Sequence, residues 1–405
     1  MLDIDGVLLE ARGYWLSCVD TINDFLSKMG QNALSVDESI HDAYDSSGIT
    51  TEWDMVPLTL AAFVNWSCEV SGTVPEEGAF PPYCGEFQIG ENESFRKMLL
   101  EQIRVYSGML DPDDTCINAI YHCLQKHNGG ELKYLWDLPY RDRFFVDTLD
   151  PWRSPCFAAL MTRVLGSRIF RDFYGMEAPF ACDSYLETED RLLISEYYRK
   201  LLPEIHRFNI FPAIMTYRPT KLPENDGNFG SSYFVNTPEG ESALDLLGWD
   251  DRKVPMIGAG SLCHIEDKYG LRRENYVKPH PFHALASFAI SLCHDEIRAL
   301  ETARVLCESD PERSPSPVSE WLSPGENLTL VVFEDSLSGI RSVRTAAEVL
   351  KKWGYNAKAE VCGIRTTEKK AALLKSEDVS IYPDVNSAFD IIFERCRLRE
   401  REGNI

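Results

Sequence analysis

The chain has 405 residues, of which 44% are hydrophobic and 26% charged, and its formal net charge at pH 7 is −23. This length fits one large domain or two ordinary ones, and the composition is that of a soluble globular protein. The acidic excess argues against nucleic acid as a partner, because phosphate contacts need basic patches. No segment is long and apolar enough to predict a membrane span, and no basic, apolar leader opens the chain.

Twelve cysteines are scattered along the sequence, without a C-x-x-C pair or a Cys/His cluster at zinc spacing. We therefore expect reduced, mostly buried thiols and a cytoplasmic location.

The first predicted element is the opening "MLDIDGVLLE". Side chains alternate along a strand, so Asp3 and Asp5 would point to the same side. A strand that ends in Asp-x-Asp-Gly would carry two carboxylates at its carboxyl end, where open α/β sheets bind ligands. The alternative is a turn with two solvated acids, since Asp and Gly are common turn residues.

Helical patterns dominate the next part of the chain, residues 11–195. Apolar residues recur at helical spacing from Tyr14 to Met29, and Gly30 follows as a stop. "SFRKMLLEQIRVYSGML" and "CFAALMTRVLGSRIFRDFYG" predict further helices, whereas "FVNWSCEVSGTVPEEGAFPPYCGEF" is rich in turn residues. Strand patterns are few, so residues 11–195 are predicted to form an inserted, mostly α-helical domain.

Strands and helices alternate in the remainder, and residues 1–10 and 196–405 are assigned to an α/β core. The predicted strands are "NIFPAIMT", "VPMIGAG", "LTLVVFED", "AKAEVCGI" and "SIYPD". Each of the segments "EDRLLISEYYRKLLPEIHRF" and "HALASFAISLCHDEIRALETARVL" is predicted to be a single helix. Such alternation is typical of a parallel sheet covered on both faces by helices.

Polar groups fall at the predicted strand ends. They are Asp3 with Asp5, Thr216, Lys278, and Glu334 with Asp335. Each alone has a structural explanation, such as a capping Thr, a surface Lys or an acidic helix start. Together they should converge, because the carboxyl ends of parallel strands lie on one edge of the sheet.

Charge balance at that edge predicts a cation. Four converging carboxylates repel one another, and burial would raise some of their pKa values. One lysine cannot neutralise four acids, whereas Mg²⁺ uses a few carboxylates together with water and a phosphate. The pattern therefore predicts a Mg²⁺ site and an anionic substrate.

Four motifs in order, "DIDGVL", "AIMT", "VKPHP" and "FEDSLSGIRSVRTA", resemble those of the haloacid dehalogenase superfamily. The last motif is similar to the form in its phosphatase and phosphoglucomutase-like branch. The resemblance implies a Rossmann-like, doubly wound parallel sheet with a helical cap inserted between the first two motifs. The insert is larger than the usual cap, so the resemblance does not supply the substrate.

The resemblance also implies roles for individual residues. Asp3 would be the nucleophile that forms an aspartyl-phosphate, and Asp5 would protonate the leaving oxygen and later accept a proton from water. Thr216 would bond a phosphoryl oxygen, and Lys278 would neutralise charge during transfer. The Mg²⁺ ligands implied are Asp3, the carbonyl of Asp5, and Asp335, with Glu334 assisting.

Three further residues are candidates for substrate contact. "GITTEWDMVPLTLAAF" resembles a cap segment in which Trp53 and Asp54 would face the substrate, although Trp53 could equally pack in the cap core. Arg218 in "TYRPT" could reach the substrate, and a local ion pair is its alternative. Ser336 and Ser338 are expected to cap the helix that follows them.

The function expected from these motifs is a Mg²⁺-dependent phosphatase acting on a small phosphorylated metabolite. Asp5 argues against dehalogenation, which does not need the acid/base carboxylate. A phosphomutase and a non-catalytic binding or regulatory protein with the same fold are the alternatives. Only Met1 and Leu2 precede Asp3, where the family has a full buried strand, so we expect upstream residues to be missing from this sequence.

Overall fold

The computed structural model describes residues 1–72, 80–84, 92–111, 114–223, 236–270, 275–364 and 368–401. The chain divides into two compact units, and we name each by its content. The α/β unit comprises Met1–Ala11 and Asp190–Ile405, and the helical unit comprises Arg12–Glu189. No helix in the described ranges combines the length and the apolar character that crossing a bilayer would require.

The helical unit is built around three helices that contact one another, α1, α3 and α7. Its helices are α1 (Arg12–Lys28), α2 (Glu38–Ser46), α3 (Glu52–Ser71), α4 (Asn92–Ser107), α5 (Cys116–Lys126), α6 (Lys133–Trp136), α7 (Pro155–Tyr174) and α8 (Tyr185–Thr188). Helix α3 extends into the segment predicted to be rich in turns, where Phe63, Val64 and Cys68 are buried. The rest of that segment lies partly outside the described residues, at 73–79 and 85–87.

The α/β unit alternates strands and helices along the chain. Its strands are β1 (Leu9–Glu10), β2 (Arg191–Leu192), β3 (Ile214–Met215), β4 (Met256–Ile257), β5 (Asn327–Glu334), β6 (Asn356–Ile364) and β7 (Ser380–Tyr382). Its helices are α9 (Glu196–Leu201), α10 (Glu239–Leu247), α11 (Ala259–Tyr269), α12 (Pro281–Cys293), α13 (Glu296–Glu308), α14 (Leu337–Lys352), α15 (Glu368–Ser376) and α16 (Val385–Arg401).

The parallel strands meet on either side of Leu2. Strand β3 pairs with β4, and β5, β6 and β7 pair in that order, all in parallel. Leu2 makes parallel bridges with Ile214 on one side and with Phe333 on the other. The chain is therefore mixed α/β with small parallel sheets, as predicted. Asp3 directly follows the bridged residue Leu2, on its carboxyl side.

Two apolar clusters lie on opposite faces of these strands. Met215 and Val332 belong to the cluster that includes α12, α13 and α14. Ile214 and Phe333, their neighbours along the strands, belong to the cluster that includes α10 and α16. Consecutive strand residues point to opposite faces, so both faces are buried and the carboxyl ends remain available for polar groups.

Two predicted helices differ from the structure. The segment at 283–306 forms two helices, because His294 adopts a left-handed conformation with φ of 51° and Asp295 caps α13 through the Arg298 N–H at 2.9 Å. The segment at 189–208 begins with β2, which pairs antiparallel with β1. Its first helix, α9, starts only after the capping residue Ser195. Helix α11 was not predicted from the sequence.

Candidate functional site

Backbone pairing brings the predicted strand ends to one edge of the α/β unit. The Asp3 N–H donates to the Phe333 carbonyl at 3.1 Å, so Asp3 lies beside the residue that precedes Glu334. The Thr216 N–H donates to the Ile257 carbonyl at 3.1 Å at the ends of β3 and β4. These side chains start from adjacent positions because neighbouring parallel strands end together.

Lys278 joins two of the predicted carboxylates. Its Nζ lies 3.2 Å from Asp3 Oδ1 and 2.9 Å from Glu334 Oε1. The Lys278, Asp3 and Glu334 side chains are only 10%, 12% and 0% exposed. Removing one of these side chains would leave an opposite charge buried without its partner, which would strongly destabilise the folded state.

The two carboxyl groups beside Lys278, those of Asp3 and Glu334, differ in how readily they ionise. Burial and the neighbouring Glu334 raise the pKa of Asp3 well above its usual value, although Lys278 opposes them. Burial would raise the pKa of Glu334 as well, but the charge and hydrogen bond of Lys278 outweigh it and lower that pKa. Burial would lower the pKa of Lys278, and the two carboxylates outweigh it. Glu334 therefore holds its charge more readily than Asp3, and a further cation would favour the ionised form of Asp3.

Glu334 is fixed by four donors. Its Oε1 accepts from Lys278 Nζ and from the Ser336 hydroxyl at 2.9 Å each. Its Oε2 accepts from the backbone N–H of Asp335 at 2.8 Å and of Ser336 at 3.2 Å. A Cβ added at Gly339 would lie 1.7 Å from Oε1, so this position must lack a side chain. Ser336 is also the N-cap of α14, as predicted.

Asp3, Glu334 and Asp335 form an acidic cluster. Each offers a carboxylate oxygen within 4.8 Å of the other two. Asp335 also lies against the first motif, because a Cβ at Gly6 would be 3.0 Å from Asp335 Oδ2. Gly6 has φ of +74°, a conformation that glycine adopts without strain. These three carboxylates offer oxygen atoms of the kind that a hard divalent cation takes as ligands.

The carboxylate of Asp5 forms an ion pair with Arg218. The guanidinium donates from Nε to Asp5 Oδ1 at 2.9 Å and from a terminal nitrogen to the same oxygen at 2.6 Å. That terminal nitrogen also donates to Asp190 Oδ2 at 2.8 Å. The ion pair expected as the alternative for Arg218 is therefore present, and its partner carboxylate is the predicted acid/base residue.

Thr216 lies at the base of the same turn. It is fully buried, and its hydroxyl oxygen accepts from the Arg218 backbone N–H at 3.1 Å. The hydroxyl thereby shapes the turn that carries Arg218 toward Asp5.

Trp53 and Asp54 lie in the helical unit, near the start of α3. Asp54 is buried, and it accepts from the Thr51 hydroxyl at 2.5 Å. Burial raises its pKa to about 6 against the opposing hydrogen bond from Thr51. Trp53 is half-buried. These contacts are local to the helical unit, and the substrate role of both residues stays a prediction.

The sequence analysis missed two residues beside the site. Asp190, whose side chain is 0% exposed, pairs with Arg218, and no pattern around "TEDRL" signalled it. His283 lies two residues beyond the "VKPHP" motif, is fully buried, and its Nε2 is 3.1 Å from the Ile257 carbonyl. Burial, together with nearby Lys278, lowers the pKa of His283 to about 3, so it is neutral near pH 7.

A cavity of about 830 Å³ in the α/β unit lies apart from these residues. Its lining includes Met1, Ala213, Phe288, Val331 and Phe389, and none of the predicted site residues. The Met1 nitrogen donates to the Val331 carbonyl at 2.7 Å. The cavity is thus at the opposite end of the strands from the carboxylates.

No known family model matches the chain, and no curated protein matches it. The X-ray structure of a Northeast Structural Genomics Consortium target is similar, with a TM-score of 0.59 and 16% sequence identity. The match covers 96% of this chain and 97% of that chain. At this identity the likeness concerns the fold alone.

Proposed function

We propose that the protein is a Mg²⁺-dependent phosphatase that hydrolyses a small phosphomonoester through an aspartyl-phosphate on Asp3. The observation that carries the proposal is the placement of Asp3, whose carboxylate lies 3.2 Å from a buried lysine and within the acidic cluster. The four motifs that resemble the haloacid dehalogenase superfamily add support, because each supplies a residue to this edge. Asp5 favours phosphoryl transfer over dehalogenation.

In the first step, an Asp3 carboxylate oxygen attacks phosphorus and the bond between phosphorus and the leaving oxygen breaks. A proton from the Asp5 carboxyl group passes to that oxygen, so the product leaves as a neutral alcohol. Lys278, already beside Asp3, offsets the negative charge on the transferring group. Thr216 would contribute a hydrogen bond to a phosphoryl oxygen.

In the second step, water attacks the phosphorus of the aspartyl-phosphate. Asp5, now ionised, accepts a proton from this water while the bond between phosphorus and the Asp3 oxygen breaks. Inorganic phosphate and the Asp3 carboxylate are released, and Asp5 is protonated again for the next cycle.

The residues present fit a divalent cation. Asp3, Asp335 and the carbonyl of Asp5 would hold it, and Glu334, whose two oxygens already accept from four donors, would assist through its charge. Bound Mg²⁺ would supply charge neutralisation for the acidic cluster and the phosphoryl oxygens. The raised pKa of Asp3 agrees with this assignment, because an extra cation beside it would favour the ionised nucleophile.

The finer architecture belongs to the same proposal. The strands β3, β4, β5, β6 and β7 would correspond to the Rossmann-like, doubly wound sheet, with the first motif between β3 and β5. The helical unit would be the inserted cap, which selects the metabolite. A cytoplasmic location is proposed because the described cysteine side chains are free thiols.

A panel of phosphomonoesters assayed with and without Mg²⁺ tests the proposal. We expect phosphate release from at least one member, dependent on Mg²⁺, absent in Asp3→Asn and retained in Asp245→Asn, an exposed aspartate on α10. No release from any member by the folded wild type, or equal release by Asp3→Asn, would refute it.

A further inference from the structure

Arg218 occupies a buried position between two carboxylates. Its side chain is 1% exposed, that of Asp190 is 0% exposed, and that of Asp5 is 40% exposed. An arginine so deeply buried needs a counter-charge, and Asp190 supplies one in the interior. Asp5, the more exposed of the two carboxylates, accepts from the same guanidinium.

The contact with Asp5 is geometrically specific. The Arg218 Nε lies 2.9 Å from one carboxylate oxygen of Asp5 and 3.1 Å from the other, and a terminal nitrogen lies 2.6 Å from the first. The planar fork of an arginine matches a carboxylate in this way, which a lysine cannot reproduce. The carboxylate of Asp5, though exposed, is therefore held in one orientation.

Asp190 shares a terminal nitrogen of the guanidinium with Asp5. Its Oδ2 accepts from the terminal nitrogen at 2.8 Å, and it is the first residue of the α/β unit after the helical unit. Arg218 is also anchored through its backbone, because its N–H donates to the buried Thr216 hydroxyl. Two independent contacts thus keep the guanidinium still while it holds Asp5.

We propose that Arg218 and Asp190 are positioning residues that hold the Asp5 carboxyl group mainly through Oδ1, so that Oδ2 carries the proton that passes to the leaving oxygen and is returned by the attacking water. The inference rests on the proposed phosphatase function. The Asp190–Arg218 pair then affects the rate of proton transfer only through the orientation of Asp5. Direct contact of Arg218 with the substrate, and a purely structural ion pair, are the competing roles, and each gives a different kinetic pattern.

Leaving-group dependence separates these roles. Dinitrophenolate leaves without a proton, whereas an alkoxide needs one, so only alkyl phosphates depend on a well-placed Asp5. Single-turnover release of the leaving group is measured with Mg²⁺ for 2,4-dinitrophenyl phosphate and for an alkyl phosphate. The variants are Arg218→Lys, Asp190→Asn and Asp5→Asn, with Arg341→Lys as the control, since Arg341 forms an exposed pair with Glu377.

We expect Arg218→Lys to slow alkyl phosphate cleavage by about 10²-fold or more, the lower range of a general acid contribution, and dinitrophenyl phosphate cleavage far less. Asp190→Asn should show the same selectivity with a smaller factor, so that it slows alkyl phosphate cleavage more than dinitrophenyl phosphate cleavage. In the Asp5→Asn background, adding Arg218→Lys slows neither substrate further, because both changes remove the same proton transfer. Arg341→Lys cleaves both substrates at the wild-type rate.

Equal slowing of both substrates in Arg218→Lys, or further slowing in the Asp5→Asn background, would overturn the inference. If Arg218→Lys does not fold, the same comparison is made with Asp190→Asn, whose side chain can still accept from the guanidinium. Wild-type protein that cleaves neither substrate nor any other phosphomonoester would instead overturn the proposed function, and the inference with it.

Discussion

Replacing Gly339 by alanine perturbs the site without removing any of its polar groups. The added Cβ would lie 1.7 Å from Glu334 Oε1 and 2.3 Å from its carboxyl carbon. Glu334 cannot give way freely, because it is fully buried and its two oxygens accept from Lys278, Ser336 and the Asp335 backbone. The clash must therefore displace either the carboxylate or the first turn of α14.

One stabilising and two destabilising effects determine how Gly339→Ala changes the free energy of unfolding. Alanine is a better helix former than glycine by about 1 kcal/mol, which would stabilise an unconstrained helix. Overpacking costs about 1–3 kcal/mol, and loss of one charge-assisted hydrogen bond of Glu334 costs about 1.5–3 kcal/mol. We expect these two costs to outweigh the gain, with a net destabilisation of about 1.5–5 kcal/mol.

Urea unfolding at pH 7 measures this difference, and Gly108→Ala serves as the control because its Cβ would meet the nearest atom at an ordinary 3.4 Å. Phosphatase activity of Gly339→Ala should fall at least about tenfold, which corresponds to about 1.4 kcal/mol of lost transition-state stabilisation, since Lys278 and Asp3 shift with Glu334. Unchanged or increased stability together with full activity would show that Glu334 is not held as described.

Three further changes test separate parts of the site. Asp335→Ala should abolish activity and the rise in melting temperature produced by Mg²⁺, and full activity in excess chelator would contradict the metal assignment. Lys278→Met leaves two buried carboxylates without their cation, so unfolding should cost about 3–5 kcal/mol less, whereas the exposed Lys351→Met should differ little from wild type. Below pH 6.5 the unfolded chain takes up a proton at His283 that the folded chain excludes, so from pH 7 to pH 5 the wild type should lose about 2 kcal/mol more stability than His283→Gln. Urea midpoints at both pH values check this, and an equal fall in His283→Gln would refute it.

The sequence predicted the alternating strands and helices of the α/β unit because their apolar patterns are strong and local. It also predicted the approach of Asp3 and Glu334, since polar residues at the ends of parallel strands share an edge. Lys278 reaches them as predicted, but it lies in the loop before α12 and not at a strand end. The break between α12 and α13 escaped prediction, because it depends on one left-handed residue, His294, within a continuous helical pattern.

Contacts distant in sequence were the least predictable part of the site. Asp190 and Arg218 are 28 residues apart, and Arg218 and Asp5 are 213 apart, so no local pattern could pair them. The pairing follows from folding, which buries Asp190 and so requires a cation beside it. Gly339 could have been noticed in "FEDSLSGIRS", but the need for a bare backbone there appears only once Glu334 is placed.

Detection of the phosphorylated residue tests the central claim most directly. Wild-type protein is mixed with an active phosphomonoester and Mg²⁺, quenched in acid within one turnover, and the peptide that contains Asp3 is analysed by mass spectrometry. The proposal predicts one added phosphoryl group on Asp3 and none in Asp3→Asn. With 2,4-dinitrophenyl phosphate, whose leaving group needs no proton, Asp5→Asn should carry more of it, because only the water attack is slowed. A wild-type enzyme that turns over substrate without ever carrying a phosphoryl group on Asp3 would contradict it.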